Sequence, residues 1–235
     1  MDILEKEKCI QIQRELIDKI QIKNIVEKDE IKTMAGVDLA YWKKDDIEYA
    51  VCCIVIIEVE SLKVLEKVDF MGKVDFPYIP GCLAFRELPF ILEAKKKLQI
   101  DPDIYIFDGN GYLHPRHMGI ATHAAIYLQK PSIGVAKSYY KIGETDFVMP
   151  SNEEYAFTNI IIEGEVYGRV LRTKKDVKPI FISVGNYIDL KTATEIINHC
   201  VTKESHIPVP TRLADIETHE RRKFYQTLDT LNENL

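Results

Sequence analysis

The sequence is short of positive charge. Thirty-one Lys and Arg face 37 Asp and Glu, a formal net charge of −6, which removes any general attraction to polyanions. A local basic face is still open, since Lys and Arg gather at residues 95–97, 169–178 and 221–223, although such runs most often form solvated faces. Long apolar runs are also missing. None approaches the ~20 residues of a membrane span, and the opening MDILEKEKCIQ has neither the basic start nor the apolar core of a signal peptide. A cytoplasmic protein with no membrane partner is expected. The five cysteines (Cys9, Cys52, Cys53, Cys82, Cys200) lack C-x-x-C spacing, and two of them lie inside an apolar run, so they read as reduced core residues rather than zinc ligands or disulfides. Repeats, low-complexity tracts and linkers are absent as well. One α/β domain over residues 1–235 is expected.

What is there begins with a charged segment at 2–23 whose apolar positions, Ile3, Ile10, Leu16, Ile17 and Ile20, have the spacing of an amphipathic surface helix. Residues 34–41, 49–58 and 63–70 then read as three strands, with a hairpin turn at 43–46, so the first third is a β-meander of antiparallel neighbours. An amphipathic helix is expected from about Pro89 to Leu98. The run IYIFD at 104–108 is a buried strand by composition. A helix at 119–129 between this strand and another at 132–138 makes a βαβ unit with a parallel pair. Further strands are predicted at 165–172 and 179–184, a helix at 191–201 capped by Asp189, and a last helix from Pro208.

Three carboxylates stand where folding does not ask for one. Asp38 interrupts a strand between Val37 and Leu39; burying it unpaired would cost several kcal/mol, so it must be exposed, paired or bound to a cation. Alternation puts it on a face with Gly36 and Ala40, and those small residues leave room for something to approach. Asp108 ends a buried strand and opens onto Gly109, Asn110 and Gly111, the position where α/β sheets place their chemistry, although Asp-Gly also serves simply as a turn pair. Glu87 precedes Pro89, which suits a helix's first turn and allows Glu87 a structural role at the helix start. Three such acids could hold a hard cation such as Mg²⁺ for in-line attack on a phosphodiester. Spacing alone does not show that they converge. The segment FPYIPG, held out of regular structure by Pro77, Pro80 and Gly81, presents Tyr78 and Ile79; it reads either as an ordinary connector or as an apolar wedge that enters a base stack.

The motifs AGVDLAY, FPYIPG, FREL, FDGNGYLHPRHMGIATH, GVAKS and PTRLAD, in this order, closely resemble the endonuclease V family from about residue 34 to about 215. The resemblance implies a ribonuclease H-like fold: a mixed sheet, first three strands antiparallel and then parallel, flanked by helices. It implies that Asp38, Glu87 and Asp108 are catalytic metal ligands, with Asp215 a further ligand where family members carry His or Asp. Its other reading is a first-turn helix acid. Lys137 would contact the scissile phosphate or the attacking water. Tyr78 would fill the gap left by an extruded base, with Pro77, Ile79 and Pro80 stiffening the wedge. His114 would hold or polarise substrate nearby, or be structural. Gly109, Gly111, Gly119, Ile120 and Ala121 would form the base pocket through main-chain contacts. The implied reaction is hydrolysis of the second phosphodiester bond 3′ to a deaminated purine, hypoxanthine above all, leaving 3′-hydroxyl and 5′-phosphate ends. Mg²⁺ is the implied cofactor, Mn²⁺ a substitute; the partner is DNA containing deoxyinosine, and the protein is expected to act as a monomer. Rival readings are an inosine-specific endoribonuclease, a non-catalytic nucleic-acid-binding protein, and a small-molecule phosphohydrolase for which the PYIPG loop would be superfluous.

Overall fold

The unbroken apolar run at 49–57 forms a strand whose residues from Ala50 to Ile57 are all buried, because the sheet is covered on both faces. A computed structural model describes residues 2–233. Helix α1 spans Asp2–Leu16; then come β1 (Thr33–Lys44), β2 (Ile47–Glu58), β3 (Val64–Lys73), α2 (Leu83–Lys95), β4 (Ile104–Asp108), α3 (Ile120–Leu128), β5 (Ser132–Ala136), β6 (Phe157–Ile162), β7 (Glu165–Leu171), β8 (Ile180–Asn186), α4 (Leu190–His199) and α5 (Val209–Glu233). Among the described residues all eight strands form one sheet, in the order β3-β2-β1-β4-β5-β8-β7-β6. The meander β1-β2-β3 is antiparallel, β1-β4-β5 is parallel, and β8-β7-β6 return antiparallel. This is the mixed, ribonuclease H-like sheet that the motifs implied.

The two-residue turn at Asp45 and Asp46 has φ of 49° and 61°, the doubly positive geometry that matches strand twist in a tight hairpin. Alternation divides the core in two. Met34, Val55, Ile57, Ile104, Ile106, Ile133, Val135, Ile182 and Val184 face α4 and the start of α5; Ala35, Val37, Ile54, Ile56, Tyr105 and Phe107 face α2 and α3. All five cysteines are free and buried, as their setting in the sequence predicted.

Four features differ from the sequence reading. β6 was not foreseen: its exposed positions, Phe157, Asn159 and Ile161, alternate with a shallow buried set, and only the turn at Glu163 and Gly164 marks it. α2 starts at Leu83, so Pro89 lies inside it and Glu87 sits in the second turn rather than at the helix start. Buried Ala84, Leu88 and Ile91 impose helical spacing across the proline, whose missing N–H leaves the Phe85 carbonyl without its helical donor. α1 stops at Leu16, and Ile3 and Ile17 of its predicted apolar stripe are exposed; its inward residues are Cys9, Gln13 and Leu16. The small-residue face of β1 is occupied by the protein itself: a Cβ at Gly36 would stand 2.0 Å from the Pro210 carbonyl oxygen.

Candidate active site

Asp38 and Asp108 both point to the α5 side of the sheet. The parallel β1–β4 pairing ends at Val37 opposite Phe107, so the next residue of each strand, a carboxylate in both cases, stands at the mouth where the two strands part. α5 crosses this mouth, and the contact of Pro210 on Gly36 sets its depth. Asp215, in the second turn of α5, completes a trio: one carboxylate oxygen from each of Asp38, Asp108 and Asp215 lies within 4.8 Å of the others. Its alternative reading as a first-turn helix acid does not hold, since it stands past the first turn and among the acids. Lys137, just after β5, bonds Asp108 Oδ2 at 2.6 Å and lies 3.7 Å from Asp215 Oδ1.

The electrostatics of this cluster are unrelieved. Burial, then the charges of Asp108 and Asp215, pushes Asp38 up to about 7. For Lys137, burial pulls the ammonium down, but the bond to Asp108 and the charges of Asp108, Asp215 and Asp38 outweigh it, and its pKa is raised. One lysine among three crowded carboxylates leaves excess negative charge, and an all-oxygen donor set suits Mg²⁺ or Mn²⁺. The residues therefore fit a hard divalent cation.

Glu87 arrives from the opposite face. α2 packs under the Val37–Tyr41 side of β1, and the Glu87 carboxylate is not part of the trio but accepts a 2.9 Å hydrogen bond from the Tyr41 hydroxyl on Oε1. Burial pushes Glu87 up to about 8; the Tyr41 bond works against this, and Asp38 and Asp108 add to it, so its carboxylate feels the same cluster. Beside it, Arg86 lies 4.5 Å over the Tyr41 ring, bonds Glu48 at 2.8 Å and donates to the Phe76 carbonyl at 2.9 Å.

The FPYIPG loop has one exposed apex. Tyr78 is 69% exposed, whereas Ile79 is 5% exposed and packs with Cys9, Cys82, Phe76 and Phe85. Ile79 is thus not presented to a partner; it anchors the loop between exposed Pro77 and Pro80. At the loop's end, Gly81 (φ 79°) turns its carbonyl to three donors: Gln13 Nε2 at 3.0 Å, Arg116 at 2.8 Å and His114 Nε2 at 3.1 Å. His114 Nδ1 accepts from the backbone N–H of Arg116 and Met118, so the ring is a fixed neutral tautomer, and burial together with the Arg116 charge pushes its pKa down to about 3. His114 ties the two loops together through both ring nitrogens.

Beneath Tyr78 opens a pocket of about 120 Å³. Tyr78, Tyr140, His114, Asn110, Gly119 and Ile120 line it. Gly109, Gly111 and Ala121 do not. Gly111 is a glycine because a Cβ would meet the Val184 carbonyl oxygen at 2.2 Å, and Ala121 is fully buried in the core under α3. Sequence reasoning missed Gln13, Tyr41, Arg116 and Tyr140 as members of the site; the HPR triplet was the signal for Arg116 and the end of AGVDLAY the signal for Tyr41, and the other two carried none.

Comparison with known proteins follows the same lines. The model of the endonuclease V family matches residues 14–216. Endonuclease V of Bacillus thuringiensis subsp. konkukian is 57% identical over 227 residues, 95% of this chain and 97% of that protein. The crystal structure of endonuclease V from Bacillus subtilis superposes with a TM-score of 0.92 at 54% identity, covering 96% of this chain and 95% of that one. Ciona intestinalis endonuclease V, solved with a 24mer DNA containing an inosine followed by a ribo-adenosine, matches at 27% identity with a TM-score of 0.84, over 94% and 99% of the two chains.

Proposed function

The chain belongs to the endonuclease V family and is a nuclease, and from this we propose that it hydrolyses the second phosphodiester bond 3′ to hypoxanthine in DNA as a metal-dependent repair enzyme, leaving 3′-hydroxyl and 5′-phosphate ends. The observation that carries the proposal is the convergence of Asp38, Asp108 and Asp215 within 4.8 Å, with Lys137 bonded to Asp108. In this reading Asp38, Asp108 and Asp215 hold Mg²⁺, or Mn²⁺ in its place, with Glu87 closing the set from the far face. A divalent cation there supplies electrostatic stabilisation of the charge that develops on the leaving oxygen. Lys137 places an ammonium beside the acids, where it attracts and orients the scissile phosphate. Tyr78 occupies the gap left by the extruded base, at a cost of a few kcal/mol that is smaller for a poorly paired hypoxanthine. Pocket residues Gly119 and Ile120 receive that base through main-chain groups, with Asn110 and Tyr140 as walls. His114, Arg116 and Gln13 hold the Tyr78 loop over the pocket. The proposed setting is a cytoplasmic monomer.

Inosine in RNA is the second reading, favoured by the ribo-adenosine that follows the inosine in the DNA bound to the Ciona relative. The deciding measurement is Mg²⁺-dependent cleavage of matched single-stranded DNA and RNA oligonucleotides, each with one inosine. DNA cleavage at the second 3′ bond, lost with a chelator and reduced more than about a hundredfold in Asp108→Ala while substrate binding persists, is the expected result. Cleavage of RNA alone would move the function to inosine-RNA turnover, and turnover surviving in Asp108→Ala would remove the metal assignment.

A further inference from the structure

Glu87 belongs to a helix on the wrong face of the sheet for the acid trio, and something must hold its carboxylate toward the strand ends. We propose that Tyr41 is the positioning residue that does so: its hydroxyl fixes Glu87 for cation binding, and a clamp on its ring fixes the hydroxyl. The inference rests on the metal site proposed above. It goes beyond that site because Tyr41 touches neither cation nor substrate.

Three observations carry it. Tyr41 lies on β1 three residues after Asp38, on the opposite face, where its hydroxyl reaches Glu87 Oε1 at 2.9 Å. Commitment of Oε1 to this donor leaves Oε2 as the oxygen available to a cation and removes a rotational freedom that a half-buried glutamate would otherwise keep. Second, the ring is itself held. The Arg86 guanidinium stacks 4.5 Å above it, and Arg86 is 6% exposed and tied to Glu48 at 2.8 Å and to the Phe76 carbonyl at 2.9 Å. Third, one strand carries both members of the arrangement: β1 supplies Asp38 to one face and the support for Glu87 to the other, so the spacing of the acids is set within a single rigid element. Residues that support metal-binding side chains in this way typically change metal affinity by tenfold to a hundredfold when removed.

Tyr41→Phe keeps the ring under Arg86 and deletes only the hydroxyl. Mn²⁺ binding to the protein without nucleic acid, followed by electron paramagnetic resonance, reads the site without turnover. The expected result is Mn²⁺ affinity weakened about tenfold in Tyr41→Phe, with an unchanged thermal midpoint and unchanged affinity for inosine DNA in the absence of metal. Glu87→Gln and Asp108→Asn serve as references. Wild-type Mn²⁺ affinity in Tyr41→Phe, with both references weakened, overturns the role of Tyr41 and leaves the metal site standing. Affinity lost in Asp108→Asn but kept in Glu87→Gln overturns it as well, because Glu87 would then hold no metal. Unchanged affinity in both references overturns the metal-site reading itself, and this inference with it.

Discussion

Two histidines in this protein are held neutral by what surrounds them, and each is legible only in three dimensions. His114 spends both ring nitrogens on backbone groups, while His123, packed edge-on against Phe85 at 5.0 Å, is pushed down to about 4 by burial and has no partner on Nδ1. The sign of the pH effect follows. With folded pKa values below the unfolded value near 6.5, the unfolded chain binds more protons, so stability is complete above about pH 6.5 and is lost as pH falls toward about 4 for His123 and about 3 for His114. Between pH 7 and pH 5 the His123 contribution is about 2 kcal/mol. His123→Phe removes the titration and the unpaired nitrogen together. Urea denaturation at both pH values should show this variant losing about 2 kcal/mol less than the wild type on acidification; equal losses would mean that His123 is not buried neutral.

At the scale of elements, α5 is positioned by the absence of a side chain. Gly36 lets the Pro210 carbonyl rest against β1, and Asp215 follows five residues later. Gly36→Ala would force its methyl to within 2.0 Å of that oxygen, and because the obstacle is backbone, α5 has to lift. The expected cost is about 1–3 kcal/mol in urea denaturation, typical of overpacking, together with weaker Mn²⁺ binding as Asp215 leaves the trio. A variant with native stability and native Mn²⁺ affinity would show that α5 is not seated by this contact. Gly36 also marks how far the sequence could be read. Period-two alternation revealed β1 and the oddity of Asp38, and the end of an apolar run revealed Asp108. The small face around Gly36 was seen as room for a visitor, whereas the occupant is the chain's own helix, 174 positions away in sequence. Asp215 was found through motif resemblance alone, since a second-turn acid of a helix has no local signature. The Tyr41–Glu87 bond and the three donors on Gly81 join residues tens of positions apart and leave no periodic trace. Pro89 misled because proline is a good first-turn residue, and the buried stripe of α2 overrode it.

At the scale of the whole molecule, the sheet is continuous from β3 to β6, and the chain's ends are fastened to it at different places. The segment after α1 is zipped to the end of β8, Tyr187 N–H donating to Gln21 O at 2.8 Å and Gln21 N–H to Asn186 Oδ1 at 2.6 Å. α5 closes the opposite side of the sheet over β1 and β2, where Tyr225 packs on the cluster of Ala40, Trp42, Val51 and Cys53. Strands β1, β2 and β4 each supply residues to both cores, so one domain with one cooperative transition is the expectation that follows. Trp42 is the sole tryptophan, 8% exposed, and sits at the far end of β1 from the β8 junction, so its fluorescence reports one margin of the sheet while far-UV circular dichroism reports every element. The two urea curves should coincide in midpoint and slope. A fluorescence transition that precedes the loss of ellipticity would mean that the meander under α5 unfolds as a separate unit. Asp38 would then sit in one unit and Asp108 with Lys137 in the other, and the site would depend on how the two dock instead of on a single sheet.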